Sequence, residues 1–271
     1  MPELPEVETT RRGLLPHLKN RTATDVRIRN RQLRWPIPRG LKQKITGQRI
    51  IDVRRRGKYL IFDFEQGHML AHLGMSGSFR IVDVQAPARK HDHIDWLLDS
   101  GMILRFHDPR RFGSIHWVTG DILQHPLLKD LGPEPLEDEF NGGYLSNLAR
   151  NRKIAVKNFI MNSRVVTGVG NIYASESLFL AGIHPDRPAG QVSQSGYQRL
   201  AEAVKTVLTA SIEQGGTTLR DFVNENGNPG YFRQQLRVYE QAGNPCRQCG
   251  RAIQMQVIGQ RSSYFCPRCQ K

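Results

Sequence analysis

Four cysteines near the end of the chain form its clearest chemical pattern. Cys246 and Cys249 make one Cys-x2-Cys pair, and Cys266 and Cys269 make a second pair after 16 intervening residues. Two such pairs one hairpin apart can place four thiolates tetrahedrally around one Zn²⁺. Redox pairs or free thiols are the alternative, whereas a disulfide framework would not confine every cysteine to the last 26 residues. The spacing predicts one structural zinc ion, without which so small a segment would not fold.

The second chemical candidate is the N-terminal pair Pro2 and Glu3. If Met1 is removed, Pro2 becomes a secondary amine, and an α-amino pKa near ~8 leaves an appreciable unprotonated fraction at neutral pH. Such an amine can attack an aldehyde-level carbon to give a cationic iminium, which acts as an electron sink. Glu3 beside it could supply a proton. A terminal pair of this kind is also often merely solvated, so the residues alone leave both interpretations open.

The charge distribution indicates a polyanionic partner. The 271 residues include 39 Lys and Arg against 25 Asp and Glu, a net charge of +14 at pH 7, which favours nucleic acid. Residues 19–58 hold 14 basic and two acidic residues, and residues 231–271 hold seven and one. Two basic surfaces are therefore expected, although scattered solvated charge is the alternative. No apolar run approaches the ~18 residues of a membrane span, and the N-terminus is acidic, so we expect a cytoplasmic, nucleoid-associated protein.

Short segments rich in β-branched and aromatic residues predict a strand-rich N-terminal half. The predicted strands are Gln48–Arg54, Lys58–Phe64, Met69–Leu73, Phe79–Val84, Ile94–Leu98, Met102–Phe106 and Ile115–Val118. Their spacing favours a β-sandwich or barrel. A helix should precede them, opened by Pro5 and kinked or ended by Pro16.

Beyond Asp121 the apolar periodicity becomes helical. Helices are predicted at Ile122–Leu131, Tyr144–Leu148, Ile154–Met161, Ile172–Ala181 and Ser195–Gln214. The predicted fold class is α+β, with a β-sandwich domain and leading helix over residues 1–131, a linker over 132–142, a helical domain over 143–231 and a zinc hairpin over 232–271. The glycine-rich segment 215–231 is interpreted as a functional lid rather than a disordered connector.

Six motifs in one order along the chain resemble those of bacterial formamidopyrimidine-DNA glycosylases, which remove 8-oxoguanine from DNA. They are Pro2-Glu3-Leu4-Pro5-Glu6, Lys58-Tyr59-Leu60, His72-Leu73-Gly74-Met75-Ser76-Gly77, Asp108-Pro109-Arg110-Arg111-Phe112-Gly113, Gly168-Val169-Gly170-Asn171-Ile172-Tyr173 and the cysteine hairpin. The resemblance covers the chain from Pro2 to Lys271. It implies a bifunctional glycosylase and abasic-site lyase that excises oxidised purines and nicks the strand by β,δ-elimination. It also implies a helix-two-turns-helix element in the helical domain and makes segment 215–231 the lesion-recognition loop.

The resemblance assigns roles residue by residue. Pro2 would attack the sugar carbon that bears the damaged base, and Glu3 would protonate the sugar oxygen. Met75, Arg110 and Phe112 would fill the gap left by the extruded nucleotide in double-stranded DNA, preferably opposite cytosine. The expected phosphate contacts are Lys58, His72, Asn171 and Arg261, of which Lys58 and Arg261 are grouped with the catalytic residues, and Lys157 is a further substrate contact.

A pair of histidines, His91 and His93, is the last candidate site in the sequence. His91 and His93 are interpreted as structural rather than metal-binding, because no cysteine or third histidine is nearby in sequence; His91 is nevertheless included among the expected DNA-binding residues.

Two alternative functions remain: an endonuclease VIII-type glycosylase for oxidised pyrimidines and a non-catalytic zinc-ribbon DNA binder. A pure binder has no use for a terminal secondary amine, and the gap-filling set is typical of the purine-lesion branch. A monomer is expected.

Overall fold

The computed structural model describes residues 2–216 and 236–271, which form two compact units. The first unit contains the described residues up to Lys129 together with Gln214–Gly216, and the second contains Asp130–Glu213 and residues 236–271. The predicted lid lies outside the described residues, apart from its first two glycines. Within the described ranges, no helix has both the length and the apolar character needed to cross a membrane.

Helix α1, Leu4–Leu18, opens the first unit. Pro5 lies in its first turn, where the missing N–H costs nothing, and Val7 and Leu14 are buried on its inner side. Pro16 lies inside the last turn and the helix ends two residues later, as the sequence predicted.

Two four-stranded antiparallel sheets form the rest of the first unit. The first contains, in spatial order, β1 (Ala23–Ile28), β6 (Asp92–Leu98), β7 (Met102–His107) and β5 (Ser78–Asp83). The second contains β2 (Ile50–Arg56), β3 (Tyr59–Phe64), β4 (Gly67–His72) and β8 (Ser114–Val118). The Phe62 ring of the second sheet lies 5.3 Å from Phe79 of the first, which also contacts Trp96 and Phe106. The predicted sandwich is confirmed.

Two elements of this unit were not predicted and one prediction was wrong. Strand β1 and the short helix α2, Leu41–Ile45, lie in the basic segment 19–58, ahead of the first predicted strand at Gln48. The helix predicted over Ile122–Leu131 is a single 3-10 turn, Ile122–Gln124. His125 precedes Pro126, and a residue before proline is disfavoured in the α region, so the helix stops there.

The second unit is helical and ends in a two-stranded hairpin. Its elements are α3 (Gly142–Ala149), α4 (Val156–Met161), α5 (Asn171–Ala181), α6 (Gln194–Glu213), β9 (Gln254–Ile258) and β10 (Arg261–Phe265). Helix α5 is buried on nearly all sides and packs against α4, α6 and β10. The Tyr173 hydroxyl lies 2.7 Å from Ser211 Oγ, which ties α5 to α6. The α+β class is confirmed.

A buried carboxylate anchors the chain that leads into the hairpin. Glu176 of α5 accepts backbone hydrogen bonds, each 2.9 Å long, from Arg237, Val238 and Tyr239. Burial raises the pKa of Glu176, although the three N–H donors oppose that rise. Because an ionised carboxylate only accepts hydrogen bonds, it matches three converging N–H donors, and Glu176 acts as a structural acceptor.

Candidate active site and metal centre

The N-terminal pair is built into the start of α1. Pro2 is buried, and Glu3, which is 3% exposed, is the N-cap residue. The Glu3 backbone N–H donates to Glu6 Oε2 over 2.8 Å, and the Glu3 carboxylate accepts from the Glu6 backbone N–H. This reciprocal capping box fixes the direction in which the chain enters the helix, and with it the position of the Pro2 nitrogen.

Lys58 lies at the tight turn between β2 and β3, at the end of the arginine run. At least two of the three arginines before it form ion pairs: Arg54 pairs with Asp63, and Arg55 Nε lies 3.2 Å from Glu8 Oε2. Burial opposes ionisation of Glu8, but hydrogen bonds from Arg11 and Arg12 and the charge of Arg55 outweigh it and lower the pKa of Glu8 to about 2. Arg54 and Arg55 thus form ion pairs within the first unit, and Lys58 lies at the tip of the β2–β3 hairpin.

His72 is the last residue of β4, and its surroundings fix both the position and the protonation state of its imidazole. The Gly74 backbone N–H donates to His72 Nδ1 over 3.0 Å, and the Tyr59 ring lies 4.8 Å away. Burial, followed by the charges of Lys58 and Arg34, lowers the pKa of His72 to about 4. With Nδ1 accepting a bond, the neutral imidazole carries its proton on Nε2 and can donate it to a phosphate oxygen.

Two loops cross side by side from one sheet to the other. Residues 73–77 join β4 to β5, and residues 108–113 join β7 to β8. Because β4 neighbours β8 in one sheet and β5 neighbours β7 in the other, the loops are adjacent along their length. Gly74, with φ +66°, lies so close to the second loop that a Cβ atom there would be 2.4 Å from the Phe112 carbonyl carbon. Only glycine fits both the backbone angle and the space.

The three predicted gap-filling residues lie on these loops and share one cavity. The cavity has a volume of about 650 Å³, and its lining includes Gln32, Arg34, His72, Met75, Arg110 and Phe112. The Arg110 guanidinium lies 4.9 Å from the centre of the Phe112 ring, a cation–π distance, and Phe112 is 44% exposed. An exposed aromatic residue stacked on an arginine is suited to an extended π-surface such as a base pair.

Arg34 is a lining residue that the sequence did not single out. Its backbone N–H donates to the Gly113 carbonyl over 3.1 Å, and its guanidinium lies 4.8 Å from the Trp35 ring centre. In the sequence Arg34 is one cation among 14 in the basic segment. The signal that could have separated it is the adjacent tryptophan, since Arg-Trp pairs favour stacking.

The two histidines of the His91-Asp92-His93 motif take part in hydrogen bonds and ring contacts. His93 Nε2 donates to the Asp108 carbonyl over 2.7 Å, and the His91 ring contacts those of His93 and His107. In the described part of the chain, the only group of three or more metal-ligating side chains close enough to hold an ion is the cysteine cluster.

In the second unit, Arg261 begins β10 directly after the hairpin turn. Gly259 and Gln260 form that turn, with φ of +55° and +62°. A Cβ atom on Gly259 would lie 2.1 Å from Asn158 Nδ2, so the turn packs tightly on α4. Arg261 itself is exposed. The geometry presents a cation at the tip of a braced hairpin.

Lys157 and Asn171 both bind the strand that carries Arg261. Lys157 is fully buried, and its Nζ donates to the Ser262 carbonyl over 3.0 Å and to Ser263 Oγ over 2.6 Å. Asn171 Nδ2 donates to the same Ser262 carbonyl over 3.1 Å. Asn171 is not the N-cap of α5, which is the preceding glycine, but its first helical residue. A substrate contact by Lys157 stays a prediction, while its observed bonds position the hairpin.

The four cysteine sulfurs converge within 4.8 Å of one another. Cys246 and Cys269 are 3.9 Å apart, and Cys249 and Cys266 are 3.5 Å apart. A zinc tetrahedron with bonds of ~2.3 Å spans ~3.8 Å between sulfurs, so the cluster has the size of a zinc site with four thiolate ligands. Burial and the neighbouring thiols raise the pKa of Cys269 to about 12, a penalty that a bound divalent cation reverses.

The sequence matches three domain families in order. Residues 1–115 match the formamidopyrimidine-DNA glycosylase N-terminal domain, residues 131–223 match the formamidopyrimidine-DNA glycosylase H2TH domain, and residues 243–271 match the zinc finger found in FPG and IleRS. The chain belongs to the formamidopyrimidine-DNA glycosylase family. The predicted family and its single structural zinc site are thereby confirmed.

Individual members of the family match along their whole length. The formamidopyrimidine-DNA glycosylase of Methylococcus capsulatus is 59% identical over 271 residues, and that of Nitrosococcus oceani is 55% identical over 270, with full coverage of both chains in each case. Among solved structures, a Lactococcus lactis FPG variant in complex with DNA containing Fapy-dG has a TM-score of 0.93 at 32% identity, covering 100% of both chains. The Thermus thermophilus family member has a TM-score of 0.87 at 38% identity, covering 99% of this chain and 98% of its own.

Proposed function

We propose that this chain is a bifunctional enzyme whose Pro2 both releases an oxidised purine from DNA and initiates the strand nick. The chain is a DNA repair glycosylase with a zinc finger, by its family domains and full-length relatives. The observation that carries the Pro2 assignment is the buried terminus of α1, where Glu3 and Glu6 hold each other in a capping box. A terminus that is merely solvated would not be enclosed in this way.

The chemistry follows from a secondary amine at the sugar carbon that bears the lesion. With Met1 removed, the Pro2 nitrogen forms a bond to that carbon as the bond to the base breaks, and the Pro2 N–H proton leaves with the base. Glu3 then donates a proton to the ring oxygen, so the bond between that oxygen and the carbon breaks and the opened sugar is held as an iminium. The resulting iminium acidifies the neighbouring sugar C–H. Loss of that proton expels the 3′ phosphate by β-elimination, and a second elimination expels the 5′ phosphate.

We propose that Lys58, His72 and Arg261 bind DNA phosphates. Lys58 at the β2–β3 turn and Arg261 at the hairpin tip supply charge, whereas His72 supplies a neutral N–H donor. Asn171 braces the strand that presents Arg261. We assign DNA contacts to His91 and Lys157 as well, and we take the enzyme to be a nucleoid-associated monomer of the cytoplasm with domains at the predicted boundaries.

The preferred partner base is proposed to be cytosine, read by Arg110. A guanidinium has donors and no acceptor, so it matches the O2 and N3 acceptors of cytosine. The Watson–Crick edge of adenine offers one acceptor beside an amino donor, and the mismatch is worth on the order of 1 to 3 kcal/mol, or about ten- to a hundredfold. Arg110→Ala should therefore move the cytosine-to-adenine ratio of single-turnover excision rates toward one.

Borohydride trapping tests the proposed function directly. A duplex with 8-oxoguanine opposite cytosine should cross-link to the protein, and mass spectrometry should place the adduct on Pro2. A preparation that retains Met1 is the matched control and should not cross-link, because its Pro2 nitrogen is an amide. An adduct on Lys58 would overturn the nucleophile assignment.

A second lesion class belongs in the same experiment. An FPG of Lactococcus lactis has been solved in complex with DNA containing an oxidised pyrimidine, at a TM-score of 0.92 and 32% identity to this chain. A duplex with an oxidised pyrimidine should be trapped more slowly than the 8-oxoguanine duplex if the purine assignment is right. The opposite order would favour the endonuclease VIII-type alternative.

A further inference from the structure

The two loops that carry the gap-filling residues are joined by a buried polar bridge. Asp108, the first residue of the second loop, is fully buried, and Ser76 of the first loop is 4% exposed. The Ser76 hydroxyl donates to Asp108 Oδ1 over 2.8 Å, and the Gly113 backbone N–H donates to Asp108 Oδ2 over 2.8 Å. One carboxylate therefore binds the neighbouring loop with one oxygen and closes its own loop with the other.

The same hydroxyl is bonded directly to the residue proposed to read the partner base. The Arg110 backbone N–H donates to Ser76 Oγ over 3.2 Å. The chain of bonds thus runs from Arg110 through Ser76 to Asp108, and a shift of any member changes the position of the Arg110 main chain. Met75 adjoins Ser76, so this chain of bonds connects both of the loops that carry gap-filling residues.

The bridge is itself fixed to the sandwich. The Asp108 backbone N–H donates to the His91 carbonyl over 3.0 Å, and the Asp108 carbonyl accepts from His93 Nε2 over 2.7 Å. These anchors are in and next to β6, which is part of the core sheet. Because the Asp108 main chain is bonded to the core sheet, its carboxylate is held in place and can fix the positions of both loops.

We infer that Asp108 and Ser76 are positioning residues for discrimination of the base opposite the lesion. Both side chains are buried, and through the Arg110 backbone N–H they set where the Arg110 main chain lies relative to Met75, and with it the point from which the guanidinium extends. The inference rests on the proposed reading of the partner base by Arg110. Discrimination between cytosine and adenine depends on donor placement to a fraction of an ångström, whereas general phosphate binding does not, so loosening the bridge should degrade selectivity before affinity.

Ser76→Ala is the decisive variant, because it removes the hydroxyl with little change in volume. Its matched control is Ser114→Ala, which deletes another buried hydroxyl just after the second loop; the Ser114 Oγ has no hydrogen-bond partner among the described residues. The readout is equilibrium binding to two duplexes that carry a tetrahydrofuran abasic analogue opposite cytosine or adenine. This analogue supports no chemistry, so the measurement is independent of the Pro2 nucleophile.

The inference predicts that Ser76→Ala compresses the cytosine-to-adenine affinity ratio by about tenfold, while Ser114→Ala leaves it within about twofold of the parent. A merely structural defect would lower the active fraction and affect both duplexes equally, leaving the ratio unchanged. Asp108→Asn should also compress the ratio, because an Asn side chain has one acceptor oxygen and cannot accept from both the Ser76 hydroxyl and the Gly113 N–H.

The outcomes separate this inference from the function on which it rests. If Arg110→Ala compresses the ratio but Ser76→Ala does not, the bridge has no role in selectivity and the inference is overturned. If the ratio survives in Arg110→Ala, the proposed reading of the partner base fails. Borohydride trapping of the unmodified protein reports separately on the glycosylase and lyase activity.

Discussion

His72 is a histidine whose surroundings remove it from the physiological titration range. Its Nδ1 accepts the Gly74 N–H, and burial with nearby positive charge holds its pKa at about 4 rather than the usual 6.5. We expect its imidazole ¹⁵N shifts to remain those of the neutral Nε2–H form from pH 8 down to about pH 5. An apparent pKa near 6.5 in the folded protein would contradict this assignment.

The same depressed pKa has a defined effect on stability. The unfolded chain takes up a proton at His72 below about pH 6.5, while the folded protein resists until about pH 4. The free energy of unfolding should therefore be unaffected by His72 above pH 7, fall as the pH decreases from about 6.5 to 4, and level off below. Urea unfolding of the parent and His72→Gln across this range measures the difference, and the variant should show a weaker pH dependence.

The residues of the candidate site differ in how much the sequence revealed about them. Spacing alone predicted the four cysteines, because a zinc site of this type takes all its ligands from one short segment. The residue types of Pro2 and Glu3 are compatible with both a catalytic and a solvated terminus, and only the resemblance to the family favours catalysis. The bridge between Asp108 and Ser76 was not predicted, since its partners are 32 residues apart and a serine in a glycine-rich loop has no distinguishing pattern.

The zinc hairpin should fold only with its metal. Removal of a structural zinc forfeits on the order of 10 kcal/mol, more than so small a segment can supply from apolar burial. Chelation or Cys249→Ser should abolish DNA binding by disordering the strand that carries Arg261, while circular dichroism of the β-sandwich is retained. Active protein without zinc by metal analysis would refute this expectation.

Lys157 offers a second test at the level of the hairpin. Its buried ammonium holds two consecutive residues of β10, so Lys157→Met should accelerate amide hydrogen exchange in residues 254–265 and weaken DNA binding. The control is Lys205→Met, which also breaks an ammonium–carbonyl bond, to Glu137, but away from the hairpin. Equal exchange in the hairpin of both variants would show that Lys157 does not position it.

The elements themselves were predictable where pattern and environment agree. Short segments rich in β-branched and aromatic residues identified seven strands of the sandwich, because such side chains suit the pleated surface of a sheet. Strand β1 was not predicted because exposed Thr24 and Arg27 and half-buried Asp25 leave it with few apolar residues. After Asp121 the apolar pattern predicted a helix, but the structure has only a 3-10 turn there, because Pro126 restricts the backbone of the residue before it.

The net charge of +14 includes basic residues that can bind DNA and basic residues that cannot. Some form buried ion pairs within the protein: Arg105 with Asp95, and Arg80 with Asp92. Others, such as Arg261, are exposed. The surplus therefore lies on the surface, and binding should weaken steeply with salt through counterion release.

The salt dependence can distinguish charged from neutral phosphate contacts. Lys58→Met and Arg261→Gln should each reduce the slope of log affinity against log salt concentration by about one, because each removes a cation from a phosphate. His72→Gln should weaken binding without changing that slope, since the imidazole is neutral. Fluorescence anisotropy on one abasic-analogue duplex between about 50 and 200 mM salt provides the measurement. A reduced slope in His72→Gln would mean that the imidazole binds DNA as a cation.

The adjacency of the two crossing loops limits how lesion preference can be re-engineered. Because Gly74 lies against Phe112 and Ser76 is bonded to Arg110, a library that varies only one loop mostly samples sequences whose partner loop no longer fits. Selectivity is thus encoded in a pair of segments, and recombination between family members should preserve it only when residues 73–77 and 108–113 are exchanged together.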